Sequence, residues 1–561
     1  MVVSIKNFTL YMLFMSLAAS VLADVRPRLI LQITVDQLRG DLPQRFSQRL
    51  GKGGLRFLMD EGTYYTNAHY QHANTETIVG HTTLATGAFP AVHGMVANVW
   101  LDQEKGKLTY NIEDPHYHML GKNAAVDKLT EIDPTQKTAK SDGRSPKAIL
   151  TSTFSDELFI ATAGQAKIFA VSVKDRGAVS MAGHAGKAFW FSKQSGEFVT
   201  SNYYYQQYPQ WVTQWNAQSL ADRYKNTQWK LLKQPSSYLF EDDRPYETDI
   251  AGFRRTFPHP YGHSEKYYYT LLTTSPAGDE LTLEFAQTLI DKEQLGQDAV
   301  PDYLAVSFSS TDYVGHLFGP SSVEEEDNIL RLDKTLAKLF ATIDDKVGLE
   351  NTLIVLSADH GAAEAPDYMA SIGMQTGRLS KKSIDTAPVI QALEKRFGFG
   401  KELIQLYYHP YVYLNHKVIR DKGLNLAAVE HAVAHELLKI KGIATAVSSS
   451  DLQKGRLPDS PLMRQIRRNF KRQRSGDIYL VQEPYWFLYS DESLPLAAMH
   501  GSPWAYDTYV PIIFAGMKIP AQRVSRKVHP LDIAMTLANF LHIKPPSGAT
   551  GNVLPEIAAV E

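Results

Sequence analysis

No cysteine occurs among the 561 residues. Disulfides and a lipid-modified N-terminal cysteine are therefore excluded, and no thiolate competes as nucleophile or metal ligand. A charge bias is missing too, since 58 Lys plus Arg stand against 60 Asp plus Glu, for a formal charge of −2. That balance removes the electrostatic case for a dedicated nucleic-acid binder. The phosphate-loop pattern G-x-x-x-x-G-K-[ST] is absent, and with it the main support for ATP hydrolysis. Internal repeats, low-complexity tracts and an interior apolar run of membrane-spanning length are likewise lacking. What the chain does have, 44% hydrophobic and 21% charged residues, is enough to bury a large core.

The N-terminus carries Lys6, an apolar run from Phe8 to Leu22, and small residues at Val21 and Ala23. This pattern predicts a secretory signal over residues 1–23 with cleavage after Ala23. The run is short and is interrupted by Ser16 and Ser20, which argues against an uncleaved anchor helix. A periplasmic or secreted protein without a stable membrane anchor is the expectation.

Five short apolar runs, Leu29–Val35, Lys167–Val173, Tyr303–Ser307, Thr352–Leu356 and Tyr509–Phe514, alternate with helical patterns as parallel strands of an α/β protein do. Reactive side chains follow four of them: Asp36, the pair Lys174 and Arg176, Asp312, and the pair Asp359 and His360. The fifth run is preceded by His500. Ligands of open α/β sheets bind beyond the carboxyl ends of the strands. Any one Asp could simply cap a helix, but their recurrence at strand ends points to a site. Two stretches of different texture, about 195–275 (rich in Tyr and Trp) and about 375–490 (mixed and more basic), read as insertions outside the main sheet of a catalytic domain spanning 24–561. The aromatic stretch could offer a sugar-binding face, although such residues more commonly pack an insertion onto its scaffold. The basic run Arg464–Arg474 reads as a solvated helix face.

Asp312 and His316 are four residues apart, on one side of a helical turn. Asp359 and His360 are followed by Gly361, which permits a sharp exit from the strand. With Asp36 and His500, the set holds three carboxylates and three imidazoles. Oxygen and nitrogen ligands of this kind suit Zn²⁺, with Mn²⁺, Co²⁺ or Fe allowed by the same argument, and six groups suffice for two ions. Residues 74–87 read as a loop entering a helix, where a hydroxyl would meet the positive end of the dipole. Thr77 is the candidate nucleophile there; an ordinary N-cap role and a shift to Thr75 remain alternatives.

Taken in order, Asp36, Thr77-x-x-Gly-His-Thr, His93-Gly94 with Asn98 and Trp100, Lys174-Asp-Arg176-Gly, Asp312-x-x-x-His316, Ala358-Asp359-His360-Gly361 and His500-Gly501 resemble the alkaline phosphatase superfamily. Within it, the pattern is similar to the phosphate-irrepressible branch, which uses threonine as nucleophile. The resemblance spans about residues 29–545. It implies a central, mostly parallel β-sheet flanked by helices, with inserted cap segments. It also implies one zinc on Asp312, His316 and His500, and a second on Asp36, Asp359, His360 and the Thr77 oxygen. Asn98, Lys174 and Arg176 would contact the phosphoryl oxygens of a small-molecule phosphate monoester.

Three competitors follow. A phosphodiesterase of the same superfamily would typically carry Phe-Pro-Asn after the nucleophile, where this chain has Ile78-Val79-Gly80. A sulfatase needs a Cys or Ser in a segment this chain lacks. A non-catalytic metal- or glycan-binding protein would leave the nucleophile and cationic pair without purpose.

Overall fold

The computed structural model describes residues 26–121, 128–262, 266–380, 384, 387–488 and 496–558. The expected signal segment, residues 1–23, lies outside them. The strands used below are β1 Leu29–Val35, β2 Thr63–His69, β3 Ile168–Ser172, β4 Lys187–Phe191, β5 Phe198–Val199, β6 Asp302–Phe308, β7 Thr352–Ser357, β8 Ile404–Tyr408, β9 Tyr411–Leu414, β10 Ile443–Ser448, β11 Ile478–Gln482, β12 Tyr509–Ala515 and β13 Gln522–Val524. The helices are α1 Thr77–Thr86, α2 Asp175–Ala182, α3 Pro276–Glu293, α4 Ser310–Phe318, α5 Val323–Lys346, α6 Pro461–Asn469 and α7 Asp532–Phe540.

Nine strands form the central sheet in the order β13-β2-β12-β7-β1-β6-β3-β4-β5. Its middle, β7-β1-β6-β3-β4, is parallel throughout. These strands are mostly apolar and almost wholly buried because both faces are covered. Alternate residues serve opposite layers. Leu31, Ile33 and Val35 of β1 join Leu304 and Val306 in the core that contains residues of α3 and α5, whereas Ile30, Ala305 and Val355 face the core that contains residues of α1, α2 and α7.

All five runs expected as strands are strands of this sheet, but β12 runs antiparallel to β7. The reversal has a consequence for His500. In a parallel strand, a preceding residue would lie at the amino edge, far from Asp36 and Asp359. Only a strand of opposite direction brings its approach to the carboxyl edge.

The aromatic segment starts inside the sheet, since Phe198–Val199 pairs with β4 as an edge strand. Its rings are used in packing: Phe198 stacks on Phe285 with centroids 4.3 Å apart, and Trp215 meets Phe285 edge-on at 5.1 Å. The second insertion carries a separate sheet, β8-β9-β11-β10, with its own apolar cluster around Leu403, Val429, Val433 and Leu480.

Helix α2, which follows Lys174 and carries Arg176, is anchored by a buried ion pair. Arg144 Nε donates to Asp175 Oδ2 at 2.8 Å, and Tyr110 Oη donates to Asp175 Oδ1 at 2.6 Å. Breaking one partner leaves the other as an uncompensated buried charge. Arg144→Met is therefore expected to cost about 3–5 kcal/mol, read as a lower denaturation midpoint. Adding Asp175→Asn should recover part of that loss in a double-mutant cycle.

Candidate active site at the carboxyl edge of the sheet

Beyond β1, β6 and β7 the chain gathers Asp36, Asp312 and Asp359, all buried. Gln37 ties them together: its backbone N–H donates to Asp359 Oδ1 and its Nε2 donates to Asp312 Oδ1, each at 3.0 Å. To do so, Gln37 adopts a φ of 65°, a left-handed conformation that is costly for a side-chain-bearing residue and is found where a site demands it.

Helix α4 places Asp312 and His316 one turn apart, with His316 Nε2 3.4 Å from Asp312 Oδ1. His500 Nε2 lies 3.5 Å from the same oxygen. The three form one ligand-type group; Asp36, Asp359 and His81 form another. His360 sits between the two, with Nε2 3.2 Å from Asp359 Oδ2 and its ring stacked on His500 at 3.6 Å.

The imidazole tautomers bear on metal binding. Nδ1 of His316, His360 and His500 faces the carbonyl of Ala498, Gly361 and Thr75 at 2.8, 2.9 and 2.8 Å. A carbonyl partner calls for N–H at Nδ1 and leaves Nε2 with its lone pair toward the cluster, which is how metal-bound histidines are held. Asp359 Oδ2 and His360 Nε2 are buried with no hydrogen-bond partner. Oxygen and imidazole donors of this kind, unsatisfied and aimed inward, fit divalent transition metals.

His81 differs from His360. Its Nδ1 meets the Thr77 carbonyl at 3.0 Å and its Nε2 meets Ser307 Oγ at 2.9 Å, while Ser307 donates to Asp36 Oδ1 at 2.9 Å. With both ring nitrogens engaged, His81 orients Asp36 and Asp359 instead of offering a free lone pair. The motif around Thr77 contains His81, yet the pattern assigns it no role. Its position four residues after Thr77, on the same helix face, is the signal the sequence offers.

Thr77 is the first residue of α1, and Glu76 occupies the N-cap position. Arg176 Nη2 donates to Thr77 Oγ at 3.2 Å, and Asn98 Oδ1 accepts the Ile78 N–H at 3.1 Å. The Thr75 hydroxyl is committed elsewhere, donating to Ser502 O at 3.0 Å and accepting from Gly501 N at 3.2 Å. Thr77, not Thr75, faces the cleft, together with Asn98, Arg176, Asp312, His316 and His500. Glu76 turns its carboxylate to the Asn98 N–H at 2.6 Å and to Asn74, and burial pushes its pKa up to about 7.

Lys174 lies deeper than its place after β3 suggests. Its ammonium donates to Asp312 and stands 3.0 Å from Asp36 Oδ2, neutralising a carboxylate of each cluster. Burial pushes the Asp312 carboxyl up, but Lys174 and His316 outweigh it and hold the group well below the usual carboxylate range. Arg176 is locked by Asp133, whose Oδ2 accepts from Nη1 at 2.6 Å. Asp133 has no motif around it, and nothing in the sequence singles it out.

The approach of α1 to the Asp359 loop is backbone to backbone. A Cβ at Gly80 would lie 1.9 Å from the Asp359 carbonyl oxygen. Gly80→Ala is expected to cost about 1–3 kcal/mol by overpacking, seen in the denaturation midpoint. Because α1 would be forced away from Asp359 and His360, beside the candidate metal groups, metal retained after gel filtration should fall as well.

The sequence profile of the type I phosphodiesterase / nucleotide pyrophosphatase family matches residues 30–503. The chain is 33% identical over 539 residues to alkaline phosphatase PhoV of Synechococcus elongatus, covering 95% of this chain and 93% of that one. It is also 33% identical over 542 residues to alkaline phosphatase PafA of Elizabethkingia meningoseptica, covering 95% and 94%. The crystal structure of wild-type PafA superposes with a TM-score of 0.86 over 95% of this chain and 99% of that one, at 33% identity. A PafA variant substituted at a threonine, an asparagine, a lysine and an arginine gives 0.84 over the same shares, at 32% identity. The chain belongs to the type I phosphodiesterase / nucleotide pyrophosphatase family, within the alkaline phosphatase superfamily.

Proposed function

We propose that this protein is an exported phosphatase that hydrolyses phosphate monoesters through a phosphothreonine intermediate on Thr77 at a two-zinc site. The observation that carries the reading is Thr77 Oγ at the start of α1, 3.2 Å from Arg176 Nη2, in a cleft shared with Asn98 and the Asp312–His316–His500 group. The names of the relatives support it, as do the four residue types changed in the PafA variant, which are those of Thr77, Asn98, Lys174 and Arg176.

Asp312, His316 and His500 would hold one ion, and Asp36, Asp359, His360 and the Thr77 oxygen the other. Bound divalent metal supplies Lewis acidity, which lowers the pKa of a coordinated hydroxyl and stabilises charge on a departing oxygen. The chain does the rest. Thr77 Oγ forms a bond to phosphorus as the ester P–O bond breaks and the alcohol leaves; water then cleaves the Thr77–phosphorus link and releases phosphate. Arg176, fixed by Asp133, presents its guanidinium to the non-bridging oxygens. Asn98 spends its carbonyl on Ile78 N–H, which leaves its NH₂ to donate. Lys174, which spends its ammonium on Asp312 and Asp36, would turn a second positive charge to the phosphoryl group once bound cations take over those carboxylates. A monoester dianion carries one charge more than a diester, so this cationic wall favours monoesters.

The family's description favours a second reading, a phosphodiesterase or nucleotide pyrophosphatase. Rates on p-nitrophenyl phosphate and its bis ester decide between them: a monoester preference is expected, and a diester preference overturns the assignment. Thr77→Ala should lower monoester turnover by about a thousandfold or more. Arg176→Ala should lower monoester kcat/KM by about a hundredfold, with a smaller loss on the diester. Dialysis against a chelator should abolish activity, and zinc should restore it at about two equivalents per chain. Activity that survives metal-free dialysis would end the two-metal account.

A further inference from the structure

The basic run Arg464–Arg474, read as a solvated helix face, is helical to Asn469, with Arg464 and Arg468 half-buried and Arg467 exposed. Helix α6 forms one wall of a groove of about 490 Å³, separate from the cleft that holds Thr77. The groove is lined by the cations Arg464, Arg468 and Lys527 and by the polar groups His69, Gln71 and Thr508, with no carboxylate in its lining.

Arg468 and the helix that carries it are held in place. Arg468 lies over the Phe89 ring at 4.7 Å and donates to the Gln71 carbonyl at 3.4 Å. Gln465, beside Arg464 on the helix, donates to Pro503 O at 3.2 Å, and Asn469 donates to Val96 O at 3.1 Å, so α6 is docked on the body. Arg464 has one counter-charge, the exposed Asp459 at 2.8 Å, outside the groove lining. No ion pair involves Arg468 or Lys527 among the described residues.

The electrostatics agree with that geometry. Burial and then the neighbouring Arg464 lower the pKa of Arg468. Burial, then Lys527 and His529, lower that of His69 to about 4. Gathering repelling cations around a concave surface has an energetic cost that a bound anion relieves.

We propose that this groove is an anion-binding site for a soluble ligand bearing several phosphate-type charges, such as an oligophosphate. A concave shape that sets three cations beside small apolar residues, Pro461, Pro503 and Ala505, suits a small free anion better than a membrane surface, which would call for exposed large apolar side chains beside the cations. The exposed large apolar residues, among them Leu129, Leu150, Leu239 and Ile372, do not line the groove. The proposal does not depend on the chemistry at Thr77.

Inorganic tripolyphosphate is the probe, titrated calorimetrically into metal-loaded Thr77→Ala enzyme, with and without the added pair Arg464→Gln and Lys527→Gln. Two binding events are expected in the parent. In the charge-removed protein the second should weaken at least about tenfold, and raising the salt should weaken it in the parent. In an otherwise wild-type background the same pair should leave turnover of p-nitrophenyl phosphate within about twofold, which separates failure here from failure of the monoesterase reading. Equal stoichiometry and affinity with and without the two cations would overturn the proposal. So would retention of the protein by phosphatidylglycerol vesicles, lost on charge removal, without tripolyphosphate binding. If the double variant fails to fold, Lys527→Gln alone, at an exposed position, carries the same test.

Discussion

Three carboxylates crowded out of water are the constraint around which this molecule is organised. Asp36, Asp312 and Asp359 come from three neighbouring strand ends and are buried. Placing such charges together is unfavourable unless cations and hydrogen-bond donors compensate them. The surrounding structure supplies both: Lys174 reaches two of the carboxylates, Gln37 bonds to two, and Ser307 relays His81 to the third. Even so, Asp359 Oδ2 and His360 Nε2 in this cluster stay buried without a hydrogen-bond partner. Compensation by the chain is therefore incomplete in the place where divalent cations fit.

The fold makes this crowding geometrically accessible. Parallel strands β1, β6 and β7 present their ends on one edge, and the antiparallel β12 brings its approach to the same edge, so His500 completes the Asp312 group. Rigidity comes from close backbone contact of α1 at Gly80 and from the Arg144–Asp175 pair under α2. These devices act on position instead of chemistry, and two of them, Gly80 and Asp175, sit inside the motifs of Thr77 and of Lys174 and Arg176.

Charge is distributed on a second scale. A near-neutral chain conceals a groove in which cations outnumber nearby acids, because composition sums over the surface while a ligand meets only a local field. Acids that balance the total lie elsewhere, among them the buried Asp312 and Asp359.

From the sequence alone, the strands could be read, because apolar runs of strand length that end in polar residues and alternate with helical patterns fold as sheet strands. The ligand types were legible as well, since Asp and His at strand ends and at helical spacing carry their chemistry with them. Tertiary structure decided what depends on contacts between distant segments. It set the direction of β12, committed Thr75 to Ser502 so that Thr77 faces the cleft, and drew Asp133 onto Arg176. It also distinguished His81 from His360, which no spacing rule could do. A histidine's role is fixed by what each ring nitrogen touches, and those partners, Ser307 for one and a backbone carbonyl for the other, become neighbours only when the chain is folded.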